Sequence, residues 1–138
     1  MTTQAEAQSK AQPEMVNGQS AWFEIPVADL GKAQTFYEAV LNTKMIRTTD
    51  PSAPNEMVWF NDPSAPVVSG HLYPGKPSDV GTGNTVHMVA LDPLEEVMTR
   101  VEPAGGKVVS PVIPIPAGRF VYITDPDGNS IGLFNGSL

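Results

Sequence analysis

Two histidines, one glutamate on a strand and a set of aromatic side chains are the residues here with chemistry to offer. Glu24 lies between Phe23 and Ile25. A carboxylate in apolar surroundings is costly to bury unpaired, and desolvation pushes its pKa up toward that of a useful general base. A structural role, paired with Arg119 or facing outward, is equally open to it. His71 and His87 together with Glu24 have the donor chemistry for Fe, Mn, Ni or Zn; the plainer role for two separated imidazoles is a surface position or a hydrogen bond. Trp22, Trp59, Tyr73, Phe120 and Tyr122, with Met57 and Met88, could wall a cavity for a planar molecule or fill a core. Arg119, following Gly118, has a planar fork suited to a carboxylate or phosphate. Asp125-Pro126-Asp127-Gly128 has the residue order of a turn rather than a cation loop. No phosphate loop, dinucleotide fingerprint or nucleophile elbow occurs. With no cysteine, disulfides and thiolate chemistry are excluded.

These residues must be held by elements, and the elements come in two copies. Phe23-Glu24-Ile25-Pro26-Val27-Ala28-Asp29, a helix and Lys44-Met45-Ile46 recur as Val86-His87-Met88-Val89-Ala90-Leu91-Asp92, a helix and Lys107-Val108-Val109, at a constant offset of 63 residues. A repeat of this kind is one supersecondary unit whose apolar face needs a second copy to cover it. In the first unit Asp29 caps a helix whose apolar stripe is Leu30, Ala33, Phe36, Tyr37, Val40 and Leu41, with Asn42 as its stop. Pro26 places the preceding strand at an edge or a bulge. Strands are expected at 44–48, 56–60 and 67–73, separated by Pro51-Ser52-Ala53-Pro54 and Pro63-Ser64-Ala65-Pro66. The Gly- and Pro-rich stretch 74–84 divides the units.

In the second unit, Asp92 is expected to cap a helix with Pro93 in its first turn. Leu94, Val97, Met98 and Val101 form the buried stripe, and Ala104-Gly105-Gly106 ends it. Strands follow at 107–110, 119–124 and 130–134. The stretch Ile113 to Gly118 is either a cover over a cavity or a stiff connection. Each unit is thus strand, helix, three strands.

A chain of 138 residues makes one domain. Residues 1–20, rich in Gln, Ala and Ser, read as a flexible tail without the apolar core of a secretion signal, which makes the cytoplasm the default address. Residues 21–138 form the domain, with units at about 21–73 and 84–138. A net charge of −7 with eight scattered basic residues argues against a nucleic-acid surface, and no stretch is apolar enough to span a membrane.

The repeat, with Ile25-Pro26-Val27-Ala28-Asp29-Leu30, Phe36-Tyr37-Glu38-Ala39-Val40-Leu41, Ala104-Gly105-Gly106-Lys107-Val108 and Asp125-Pro126-Asp127-Gly128-Asn129-Ser130-Ile131, resembles the vicinal oxygen chelate superfamily. That group includes glyoxalase I, extradiol dioxygenases, fosfomycin-modifying enzymes and bleomycin-binding resistance proteins. The resemblance implies an α+β fold, two βαβββ units whose eight mixed strands curve around a cavity, and a homodimer. It also implies where a metal would sit. The family's ligand positions fall on Trp22, on Val86 or, with a one-residue slip, His87, and on Gly132. Trp and Gly offer no donor, so no metal is expected unless ligands have been relocated to His71, His87 and Glu24. The resulting expectation is a protein that binds a small organic molecule. Glu24 would be its catalytic proton-transfer group, and Trp22, Trp59, His71, Tyr73, Met88, Arg119 and Tyr122 would form its binding residues. The alternative is a divalent-metal lyase or dioxygenase.

Overall fold

Asp29 starts the first helix as its position predicts. Its carboxylate accepts from the Lys32 amide at 2.9 Å, satisfying one of the free donors of the first turn. In the computed structural model, which describes residues 18–49, 52 and 56–136, this helix is α1, Leu30–Leu41. It ends at Asn42, whose φ of 53° is the left-handed conformation that asparagine tolerates better than most residues. Its stripe is buried in full: Leu30, Ala33, Phe36, Tyr37, Val40 and Leu41. Each large apolar side chain so buried contributes roughly 1.5–3 kcal/mol.

The first unit is completed by β1 (Trp22–Val27), β2 (Ile46–Thr48), β3 (Met57–Trp59) and β4 (Ser69–Pro74). They form one sheet in the order β1-β4-β3-β2. β1 is therefore an edge strand, where Pro26 removes no ladder donor that the sheet needs. β1 runs parallel to β4, and β4 antiparallel to β3. The second unit holds β5 (Val86–Val89), α2 (Leu94–Val101), β6 (Lys107–Val108), β7 (Ile113–Ile115), β8 (Gly118–Thr124) and β9 (Ser130–Gly136). Its sheet has the order β5-β9-β8-β6, with β7 also on β8.

The class is α+β with the expected unit order. The strands number nine among the described residues and divide into two open sheets of four and five. The additional strand is β7, where a cover or connection was expected, and it pairs along Gly118, Arg119 and Phe120. The start of α2 also differs from the sequence expectation. Pro93 is its N-cap and makes no side-chain bond, and Asp92 turns instead to Arg100 at 2.8 Å. The cap comes from β9: Asn135 Oδ1 accepts from the Leu94 amide, and its Nδ2 donates to the carbonyls of Ala90 and Asp92. Residues 1–17 of the expected tail lie outside the described residues.

One core joins the units. The inner face of the first sheet (Ile25, Val27, Val58, Leu72) and that of the second (Met88, Val121, Ile123, Ile131, Leu133) bury against both helices. A polar strut crosses the same seam. Buried Tyr37 donates to Asp125 Oδ2 at 2.7 Å, and Asp125 also accepts from the amides of Asp127 and Asn129 and from Asn129 Nδ2. Asn129 Nδ2 donates in turn to the Pro26 carbonyl. Strand alternation leaves each sheet a second face that no helix covers, and the candidate chemistry lies there.

Candidate functional site

Register decides which side chains meet. Across β1, β4 and β3, Glu24 is opposite His71, and His71 is opposite Trp59. Trp22 lies two residues before Glu24 and Tyr73 two after His71, so all five share the uncovered face of the first sheet. His71 Nε2 meets Glu24 Oε1 at 3.1 Å. With the carboxylate oxygen as acceptor, Nε2 is the donor of this pair. His71 is 3% exposed, and its Nδ1 has no hydrogen-bond partner. Its ring is packed at 4.5 Å from Trp59 and 6.3 Å from Tyr73. Trp59 is itself pinned, donating through Nε1 to Thr48 Oγ1 at 3.2 Å.

Glu24 has the opposite exposure. Its side chain is 57% accessible while one oxygen is tied to a buried imidazole. The carboxylate is thus oriented at Oε1 and open to solvent elsewhere. Of its two plainer roles from sequence, the pairing with Arg119 is not seen, since Arg119 pairs with Glu95, whereas the outward-facing position is the one found, with one oxygen bonded to His71.

Cavities flank this row. One, of about 360 Å³, has Trp22 and Trp59 as walls, Ser69 at its base and the loop residues Asp62 and Val67 on its far side. Trp22 is 62% exposed. Ser64 donates to Asp62 through both amide and hydroxyl, and these bonds hold the Asp62 carboxyl below its ordinary value. A second cavity, of about 410 Å³, lies between the β1 edge and the second unit and is lined by Trp22, Glu24, Thr82, Asn84 and Ser130. A third, also about 410 Å³, follows the seam at Phe60, Val68, His87, Met88 and Leu91.

Three of the expected binding residues are not gathered with the rest. Met88 is a core residue whose edge reaches the seam cavity. Arg119 is bound in a fork to Glu95 at 2.5 and 3.0 Å, which holds the Glu95 carboxyl down to about 2, and it lines none of these cavities. Tyr122 belongs to the uncovered face of the second sheet, in an edge-to-face cluster with His87 and Phe120. Asp62 was missed by sequence reasoning. Asp62-Pro63-Ser64 shows a turn, and nothing in it points to Trp22.

The metal positions implied by the resemblance can be tested on the donors. Trp22 and Gly132 have none, and His87 is opposite Gly132 in the β5–β9 register. His87 packs with Phe120 and Tyr122 on the uncovered face, and Val86 packs against the core. His87 also fills the place a carboxylate side chain would occupy: a Cβ on Gly132 would lie 2.2 Å from His87 Nδ1. Glu24 and His71 meet on the first sheet while His87 packs on the second. Among the described residues, no group of three His, Asp or Glu side chains is placed to hold an ion. The donors among the described residues do not fit the group.

Residues 19–133 match the sequence profile of the Glyoxalase/Bleomycin resistance protein/Dioxygenase superfamily. A curated relative, "Putative glyoxylase CFP32" of Mycobacterium bovis, is 28% identical over 121 residues, which is 85% of this chain and 45% of that protein. The chain therefore spans about half the length of that relative. The fold is shared with the fosfomycin resistance protein FosX of Listeria monocytogenes, at 21% identity, a TM-score of 0.61, and coverage of 90% of this chain and 94% of that one. It is shared too with TnmS3, described as an antibiotic binding protein, from Streptomyces sp. CB03234, at 23% identity and a TM-score of 0.53, over 90% of this chain and 100% of that one.

Proposed function

The chain belongs to the glyoxalase/bleomycin resistance protein/dioxygenase superfamily, and from that premise we propose that it binds a small organic molecule without a metal ion, using Glu24 as a proton-transfer group. The observation that carries this reading is the pairing of an accessible Glu24 with a buried His71 at 3.1 Å, with Glu24 lining a cavity together with Trp22. His71 donates to Oε1 and fixes the carboxylate. The remaining lone pairs of Glu24 are then the ones that take a proton from a ligand held against Trp22. Trp59 and Tyr73 keep the imidazole from turning. The description of TnmS3 as an antibiotic binding protein supports the binding half of the reading by analogy of fold. A metal-dependent lyase or dioxygenase would need a third donor, and none among the described residues stands beside Glu24 and His71.

Elemental analysis tests the metal-free part. After addition of Fe, Mn, Ni, Zn and Co followed by dialysis, the protein should retain no stoichiometric ion; one tightly held ion per chain overturns it. Melting in chelator against a panel of planar organic molecules tests binding, since a ligand at ~100 times its Kd stabilises by about 2.7 kcal/mol. Glu24→Gln should keep the melting shift and lose any proton exchange at the ligand, followed by NMR in D2O. A homodimer, expected from the resemblance, has exposed apolar surface available at Val89, Leu91 and Ile115, and sedimentation measures it.

A further inference from the structure

The walls of the smaller cavity select for charge as well as for planarity. Trp22 on β1 and Trp59 on β3 stand on the same face with β4 between them, their β4 partners being Ser69 and His71, so their backbones are two strand spacings, roughly 9.5 Å, apart across the sheet and offset by two residues along it. Ser69, small and on the intervening strand, leaves the space between the two indoles open. Carboxylates stand on both sides of Trp22. Asp62 shares this cavity, and Glu24 shares the neighbouring one. Among the described residues, no Lys or Arg lines any of the three cavities. The ion pairs of the described arginines are made elsewhere, Arg47 with Glu56, Arg100 with Asp92 and Glu96, and Arg119 with Glu95. Asp62 is bonded by Ser64 alone, through neutral donors.

Indole faces carry negative quadrupole charge and attract cations, most strongly among the aromatic side chains. A carboxylate beside them adds to the same field, and the net charge of −7 extends it over the molecule. An anionic ligand in the slot would meet the Asp62 carboxylate, with Glu24 in the adjoining cavity, and no Lys or Arg among the lining residues. We propose that the slot between Trp22 and Trp59 takes a small organic cation, a protonated or quaternary nitrogen on a planar frame, with Asp62 as its counter-charge. This names the ligand class for the site proposed above and rests on that reading.

Trp22 and Trp59 are the only tryptophans in the chain, so intrinsic tryptophan fluorescence reports on this slot alone. Three probes of one ring system separate the possibilities at pH 7.5: 1-methylquinolinium, neutral quinoline and quinoline-4-carboxylate. The expected result is a saturable change with 1-methylquinolinium, at least ~10-fold tighter than with quinoline, and no saturation with the carboxylate. Asp62→Asn should weaken the cation ~3- to 10-fold, and raising salt from about 0.02 to 0.2 M should weaken it further. Both Asp62 and Trp22 are exposed, so Asp62→Asn and Trp22→Ala leave the core intact, and circular dichroism checks this. Quinoline binding as tightly as its methylated cation, or the carboxylate binding best, overturns the charge inference and leaves the small-molecule reading standing. No saturable change with any of the three overturns both.

Discussion

At the scale of single residues, the pairing of Glu24 with His71 turns on one nitrogen. Nδ1 of His71 is buried without a partner, a condition that costs about 1–3 kcal/mol. The bond on Nε2 offsets part of this, but its acceptor is largely exposed and is readily solvated without it. His71→Phe keeps a ring against Trp59 and removes both the bond and the orphan. Stability in urea should stay within about 1 kcal/mol of the parent protein, and any proton exchange at a bound ligand should fall as in Glu24→Gln. A loss of 3 kcal/mol or more would mean that the histidine is held for the fold. Gly132 offers a converse test. Gly132→Ala drives a Cβ into the His87 imidazole, at an expected cost of about 1–3 kcal/mol. His87→Ala in the same chain should recover most of it, because the obstacle is a side chain.

Elements show what the sequence makes legible. Asp29, the α1 stripe and the edge position required by Pro26 are local facts, written within one turn or one strand, and the structure has them as expected. The offset of 63 residues likewise carries the order of elements in both units. What the sequence does not carry is pairing across distance. Nothing in β1 says that Glu24 falls opposite His71 and not Leu72, yet a one-residue shift would turn His71 into the core. The cap of α2 fails for the same reason. Asp92 and Pro93 look like a start signal, while the group that satisfies the Leu94 amide is Asn135, at the far end of the chain. Asn135→Ala should cost about 2 kcal/mol, since it removes a cap and strands two carbonyls at once. Asp92→Ala should cost under about 1 kcal/mol, because it loses a partly exposed ion pair with Arg100 and a long, exposed bond from Asn42 Nδ2. Equal losses in paired thermal melts would return the cap to Asp92.

The whole molecule is a near-repeat whose copies have diverged on their uncovered faces and remained joined at their covered ones. Glu24 and His87 are related by the 63-residue offset, yet one faces an imidazole and the other a glycine. Such divergence is tolerable because the shared core and the Tyr37–Asp125 strut hold the units together without reference to either face. The strut has a pH signature of its own. Burial, then the neighbouring Asp125 charge and hydrogen bond, push the Tyr37 phenol well above its ordinary value of 10.0. Its pKa in the fold therefore lies above that in the unfolded chain. The phenol's contribution is whole below pH 10, where both states are protonated, and drains away as pH climbs from 10 toward the folded value. The unfolded chain binds fewer protons in that window, so the limiting loss is about 1.4 kcal/mol per pH unit. Tyr37→Phe should cost about 1–1.5 kcal/mol at pH 7, since Asp125 keeps three other donors. Above pH 10 the gap between parent and variant should narrow, because lysine titration is common to both and cancels. Urea melts of the two proteins at pH 8, 10 and 11 measure it. A gap that stays constant through pH 11 would place the Tyr37 hydroxyl in contact with water and remove the strut from the account of how the two units are joined.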